Sequence, residues 1–81
     1  MINIFEKIKK CEDLECIDKI CEFYNLKYGV EIDFINKIKK FFGFAYKAKI
    51  YLYNDIIAYE VDCEILEADK IFITIYDVKV F

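Results

Sequence analysis

The sequence predicts a small α+β domain in which three N-terminal helices precede a three-stranded antiparallel β-meander (αααβββ) and pack on one face of it. Two observations predict this order. Both glycines, Gly29 and Gly43, follow segments with helical apolar spacing, and glycine commonly ends helices. After Gly43, apolar and charged residues alternate, which is typical of strands with one buried face. We therefore expect a helical part at residues 1–43 and a β-meander at residues 44–81 of a single domain.

The three helices are predicted from their caps and their periodicity. Asn3 caps the first helix, and the acidic pair at residues 12–13 opens the second, because both residue types suit a helix N-terminus. Apolar residues then recur every three or four positions until Gly29, which is expected to end the second helix. The third helix is expected to begin within residues 31–33 and to end at Phe42.

The meander is predicted from alternation on facing strands. Asn54 and Asp55 tolerate the left-handed angles of a two-residue turn, so Tyr53 is expected to pair with Ile56. In that register one face carries no charge, while lysines oppose carboxylates on the other. A third strand at residues 71–81 continues the pattern after a turn at residues 68–69. Its residues on the uncharged face are expected to be Phe72, Thr74, Tyr76, Val78 and Val80.

Composition and charge narrow the classes of function. The chain has 81 residues, 15 acidic and 12 basic, for a net charge of −3, so general binding to nucleic-acid phosphates is not expected. It contains no His, Ser or Arg, which removes Ser–His and Cys–His pairs and arginine clamps. We expect no catalytic site, no cofactor and no metal ion, and hence no enzyme. The abundance of Ile, Lys, Phe and Tyr indicates a low-GC genome.

Four cysteines raise the question of a disulfide or a zinc site. Cys11, Cys16 and Cys21 are five residues apart, so on one continuous helix each would be rotated by about 140° from the last. They are expected not to converge but to remain free thiols in a reducing cytosol. Because no segment approaches the roughly 20 apolar residues that span a bilayer, we expect a cytoplasmic protein without a membrane partner.

A partner-binding surface is predicted on the charged face of the sheet, called the outer face below. Its isoleucines, tyrosines and carboxylates have the make-up of a protein interface, in which aromatic anchors lie within a polar rim. Since Ile73 is expected there, Ile73→Lys is expected to leave the fold intact and to weaken association. The predicted residues are Tyr51, Tyr53, Glu60, Asp62, Glu64, Ile71, Ile73, Ile75 and Asp77.

A small acidic chain of this composition resembles phage-encoded inhibitors of host defence, the anti-CRISPR proteins among them. The resemblance is one of size, charge and composition. It implies stoichiometric binding to a host nuclease complex in the host-cell cytoplasm. An acidic, tyrosine-bearing face would occupy the basic nucleic-acid channel of that complex.

Two alternatives remain open. Residues 23–30, followed by Ile35 and Ile38, resemble a helix-turn-helix with its turn at Gly29, and this resemblance implies a winged-helix DNA-binding regulator. Acidic residues near the start of the would-be recognition helix make nucleic acid the less favoured partner. The other alternative is a homodimer formed through the apolar residues of the outer face.

Overall fold

The computed structural model describes residues 3–41 and 43–80. Within them, two helices lead into five strands: α1 (Ile4–Lys9), α2 (Leu14–Tyr24), β1 (Lys27–Ile32), β2 (Ile38–Lys40), β3 (Gly43–Tyr53), β4 (Ala58–Glu67) and β5 (Ile71–Val80). The strands form one antiparallel sheet in the order β1-β3-β4-β5, and β2 pairs with β3 beside β1. The predicted αααβββ arrangement is therefore wrong, because β1 replaces the end of the predicted second helix, and a turn with β2 replaces the third.

Side chains cap the N-termini of both helices. Asn3 Oδ1 accepts a hydrogen bond from the backbone N–H of Glu6 at 3.0 Å. Asp13 Oδ1 accepts one from the N–H of Cys16 at 2.8 Å. Each bond satisfies a donor that the first turn of a helix leaves unpaired. The starts of both helices were therefore predicted correctly.

The end of α2 differs from the prediction, because Asn25 and not Gly29 ends the helix. Asn25 has φ 55° and ψ 52°, in the left-handed region that Asn tolerates better than most residues. The chain then enters β1, where Tyr28, Val30 and Ile32 alternate with polar residues and glycine. This strand pairs with β3 and satisfies backbone groups that a simple meander would leave open on that edge.

The predicted third helix is a turn followed by β2. The Asp33 carboxylate accepts hydrogen bonds from the backbone N–H groups of Ile35 and Asn36 at 3.0 and 3.3 Å, forming an Asx-type turn. Ile35, expected on the buried stripe of a helix, is 91% exposed. The predicted helix end at Phe42 lies outside the described residues. The resemblance to a helix-turn-helix fails as well, because its second helix is absent from residues 27–41.

Gly43 begins β3 and is required by a close approach between strands. A Cβ atom there would collide with the backbone carbonyl oxygen of Glu67 on β4. The sequence correctly indicated a boundary between two elements at this residue. Glycine is needed there because two strands pack closely, and not because it caps a helix.

The hairpin of β3 and β4 has the predicted faces and a longer turn. Tyr53 pairs with Ala58 and not with Ile56, so the loop comprises residues 54–57. Asn54 Oδ1 organises the loop by accepting the N–H groups of Ile56 and Ile57 at 2.8 and 3.0 Å. The register is displaced by two residues, and because side chains alternate with period two, the faces keep their members. The buried members are Ala48, Ile50, Leu52, Tyr59, Val61, Cys63 and Ile65.

A β-bulge changes which residues of β5 face the helices. The register shifts between Asp62 and Cys63 on β4, and Tyr76 is the extra residue on β5. An extra residue reverses the alternation of side chains on one side of the bulge. Before the bulge, Ile73 therefore faces the helices and is 3% exposed, although it was predicted on the outer face. After the bulge, Val78 is buried as predicted.

The same reversal moves the other early residues of β5. Phe72, Thr74 and Tyr76, expected on the uncharged face, are all exposed. Charges at Asp77 and Lys79 fixed the faces only after the bulge; before it, residues 71–76 are apolar or uncharged on both alternations, so they did not show that the faces exchange. Phe81, the predicted end of the strand, lies outside the described residues.

The two helices cover the inner face of the sheet, which is the face that carries Ile50 and Val61. Ile8 of α1 and Ile17 of α2 are fully buried in the shared core. With 6 and 11 residues, the helices are only about 9 and 16 Å long, whereas β3 extends for roughly 35 Å. Part of the inner face therefore stays uncovered. No helix among the described residues is long and apolar enough to cross a membrane.

A disulfide joins Cys11 and Cys16 at the junction of the helices. The expectation of free thiols is wrong for this pair, because Cys11 lies between α1 and α2 and not on one continuous helix. The Cα atoms are 5.4 Å apart, which suits a disulfide. Beside it, the carbonyl of Glu12 accepts the N–H of Ile73 at 2.7 Å and covers part of the open edge of β5.

The bulge predicts opposite outcomes for two adjacent substitutions. We expect Ile73→Lys to lower the free energy of unfolding by several kcal/mol, because the ammonium group would be buried without a partner. Thr74→Lys, on the exposed face, is expected to change it by less than about 0.5 kcal/mol. Urea denaturation of both variants checks this. A stable Ile73→Lys protein beside an unfolded Thr74→Lys protein would show that the alternation runs uninterrupted.

The cysteine arrangement predicts a definite thiol count. After denaturation without a reductant, two thiols per chain should react, those of Cys21 and Cys63; after reduction, all four cysteines should react. In the native protein near neutral pH both free thiols should react slowly, because burial raises the pKa of each to about 11. Quantitative alkylation with mass spectrometry measures this. Four reactive thiols before reduction would contradict the disulfide.

Candidate protein-binding surface

The helices leave the outer face of the sheet open. Six of the predicted partner-binding residues belong to this face by their register. Tyr53 is 42% exposed at one end of it, and Tyr51 is half-buried beside it on β3. The six residues are Tyr51, Tyr53, Glu60, Asp62, Glu64 and Asp77.

The three predicted isoleucines do not join them. Ile73 is in the core, and Ile75 is half-buried against it. Ile71, at the start of β5, lies on the same inner side and is 48% exposed. Because of the bulge, Phe72 and Tyr76 take their places on the outer face, with 45% and 62% of their surface exposed. The structure thus brings the carboxylates and tyrosines together but separates them from the isoleucines.

Lysines neutralise much of the carboxylate row. Lys49 Nζ lies 3.3 Å from Glu60 Oε1, one diagonal step from the Asp62 that it faces in register. Lys40 Nζ lies 3.4 Å from Glu64 Oε1. Such pairs contribute at most about 1 kcal/mol each at a solvated surface. Their effect here is on the charge of the face, which is mixed and not uniformly negative.

A further lysine relieves a repulsion that the sheet register creates. Asp62 and Asp77 are directly opposite each other on β4 and β5. Like charges in that position are destabilising. Lys79 Nζ lies 3.8 Å from Asp62 Oδ2 and 3.9 Å from Asp77 Oδ2, so it compensates both.

The bulged Tyr76 is tied to this network. Its Oη donates a hydrogen bond to Glu64 Oε2 at 2.8 Å. This hydrogen bond is the first cause of a raised pKa for Tyr76, because the carboxylate stabilises the neutral phenol; slight burial and the charge of Glu64 act in the same direction. In the same way, the hydrogen bond from Lys49 to Glu60 raises the pKa of that lysine.

A groove of about 440 Å³ borders the network. Its lining includes Asp33, Lys47, Lys49, Asp62 and Tyr76, so acidic, basic and phenolic groups meet there. The arrangement can hydrogen-bond polar groups of either sign on a partner. Among the described residues, no group of three or more Cys, Asp or Glu side chains is placed to hold a metal ion.

An apolar row that the sequence prediction missed crosses one end of the outer face. Register pairing aligns Ile38, Ala45, Leu66 and Phe72 across β2, β3, β4 and β5. With strands about 4.8 Å apart, the row is roughly 14 Å long. Ile38 is 38% and Phe72 45% exposed, while Ala45 is fully buried between neighbours. The row depends on β2 and on the bulge, and neither was visible in the sequence.

Comparison of the chain with protein-family models, with curated proteins and with solved structures finds no match. The function is therefore argued from the surface itself. Its two parts are the apolar row and the charged network with its tyrosines.

The Tyr76–Glu64 hydrogen bond predicts a pH titration. Glu64→Gln should lower the pKa of Tyr76 toward its ordinary value, because the hydrogen bond to a carboxylate is replaced at best by a weaker one to a neutral amide, and the negative charge that disfavours the phenolate is removed. Absorbance or NMR titration of the tyrosines measures this shift. Glu60→Gln serves as the control, because Glu60 pairs with Lys49. An unchanged Tyr76 pKa in Glu64→Gln would contradict the assigned bond.

Proposed function

We propose that the protein is a non-catalytic module that binds another protein through the apolar row and the tyrosines of its outer face. The observation that carries the proposal is the apolar row, because it crosses four paired strands and presents Ile38 and Phe72 on a face that the helices leave open. Strands paired in this way hold their side chains in place before binding, which reduces the entropy lost on association.

The surroundings of the row fit the anatomy of a protein interface. Binding energy at such interfaces is concentrated in a few apolar and aromatic anchors, and a polar rim excludes water around them. Phe72 is the largest anchor in the row. The charged network beginning at Lys40 and Glu64 lies next to it and supplies a polar rim with mixed charge. A partner is therefore expected to present an apolar patch bordered by charges of both signs.

The resemblance to phage-encoded inhibitors of host defence supports a narrower form of this proposal, in which the partner is a host nuclease complex in the cytoplasm. The charges of the outer face give little support to a mechanism in which this face imitates nucleic acid. Glu60, Asp62 and Glu64 each pair with a lysine, so the face is not strongly negative. The narrower form therefore relies on the apolar row to anchor the inhibitor beside a channel. A homodimer through the same row is the alternative occupant.

The test compares the native chain with Phe72→Lys. Immobilised chain is used to capture proteins from a low-GC bacterial lysate, and each captured protein is purified and titrated by calorimetry. We expect one partner to bind with a stoichiometry of one, and Phe72→Lys to raise its Kd by about tenfold or more, because the lysine would lose the apolar contact and be desolvated without a partner. Tyr53→Ala is expected to weaken binding less.

Phe23→Ser is the matched control, since Phe23 is 77% exposed on α2, away from the outer face. Equal weakening by Phe23→Ser and Phe72→Lys would contradict the assigned surface. If the purified native chain is a dimer in size-exclusion chromatography and the Phe72→Lys variant is a monomer, the homodimer replaces the proposal. Absence of any partner that binds in purified form would refute it.

A further inference from the structure

A second exposed surface lies at the β1–β2 edge of the sheet, apart from the apolar row. We call it the edge lobe and define it by six residues: Phe34, Ile35, Lys37, Lys39, Phe41 and Phe44. The turn that precedes β2 presents Ile35, which is 91% exposed, and the turn that follows β2 presents Phe41, which is 94% exposed. Since β2 has three residues, these two side chains are separated by roughly 10 Å or more along the edge.

The first turn of the lobe has its backbone held in place although Ile35 projects from it. The Asp33 N–H donates to the carbonyl of Lys47 at 2.9 Å, which ties the first turn to β3. The Asp33 carboxylate accepts the N–H groups of Ile35 and Asn36 and the Nδ2 of Asn36 at 3.0, 3.3 and 3.0 Å. The exposure of Ile35 is therefore imposed by a hydrogen-bonded turn and is not the result of a frayed end.

Aromatic rings and lysines lie next to one another on the lobe. Phe34 is 65% exposed, and its ring packs edge-to-face against Tyr46 with a centroid distance of 5.3 Å. Lys37 Nζ lies 4.4 Å from the centroid of the Phe44 ring, a cation–π contact that places the ammonium beside apolar surface. Lys39 faces Phe44 in the register of β2 and β3.

The segment that carries the lobe is positively charged, whereas the whole chain has a negative net charge. Residues 34–54 contain five of the 12 lysines and none of the 15 acidic residues, although the net charge of the chain is −3. Two acidic residues border the lobe. Asp33 is engaged by its own turn, and Glu67 faces Phe44 from β4. Lys40, beside the lobe, pairs with Glu64, so Lys37 and Lys39 are its main cations.

We propose that the edge lobe docks on an anionic lipid surface. Bulky apolar side chains flanked by lysines are suited to the boundary between headgroups and acyl chains, where the rings enter and the ammonium groups meet lipid phosphates and carboxylates. A lipid surface is favoured over a protein because Ile35 and Phe41 project separately from two turns, and a fluid surface accepts them without matching their shape. The expectation of no membrane partner rested only on the lack of a spanning segment, which does not bear on surface docking.

The test is co-sedimentation of the full chain with vesicles of phosphatidylcholine alone and of phosphatidylcholine mixed with phosphatidylserine. We expect binding to the anionic vesicles to exceed binding to the neutral ones by about tenfold or more and to fall as salt is added. The double variant Ile35→Ser/Phe41→Ser should lose most of this binding. Lys37→Glu/Lys39→Glu should reduce it by about tenfold or more, since each lysine near such a surface contributes several-fold.

Ile56→Ser is the matched control, because Ile56 is 92% exposed in the loop at the opposite end of β3. It should bind anionic vesicles like the native chain. Circular dichroism verifies that the variants fold, and if the serine double variant does not, the lysine pair gives the result. The proposal is overturned if the anionic vesicles are not preferred, or if Ile56→Ser loses as much binding as the lobe variants. Capture of an acidic protein through the lobe, without vesicle binding, would also overturn it.

Discussion

The fold depends on the pairing of β3 along both of its edges. This strand has 11 residues, and a buried strand cannot leave a row of backbone N–H and C=O groups without partners. β4 pairs with one edge, and β1 and β2 share the other. The need for that second partner explains why Lys27–Ile32 and Ile38–Lys40 form strands although apolar spacing favoured helices there. The turn at Asp33 is the consequence, because it carries the chain from β1 to β2 along the same edge.

The helices cover only one face of the sheet, and this determines where apolar side chains remain exposed. The two short helices bury the part of the inner face around Ile50 and Val61 and leave its far part, with Phe44, uncovered. The outer face is open, and its register aligns the apolar row that ends at Phe72. Phe44 of the edge lobe and the apolar row therefore lie on opposite faces of the sheet at the same end. A lipid surface and a protein partner could be bound by them without competing for the same residues.

The charges of the outer face show how tertiary geometry changes the meaning of a sequence pattern. Glu60, Asp62 and Glu64 form an alternating acidic row on one strand, and this row indicated an acidic surface although lysines were expected opposite it. In the sheet, the register and the diagonal neighbours bring Lys49 and Lys40 to within ion-pair distance of it. The alternation thus predicted which face carries the carboxylates, but the electrostatic character of the face depended on which cations the neighbouring strands place beside them.

The sequence by itself determined the helix caps at Asn3 and Asp13, the hairpin of β3 and β4, and the sorting of its residues into a buried and a charged face. These features depend on local chemistry and on a period of two, which even a two-residue change of register preserves. Tertiary structure decided the rest. The bulge at Tyr76 buried Ile73, and the pairing of β1 and β2 with β3 created the apolar row and the edge lobe. Those outcomes arise from contacts between residues distant in the chain, and amphipathic spacing within one short segment fits a strand or a helix equally well until its partner is present.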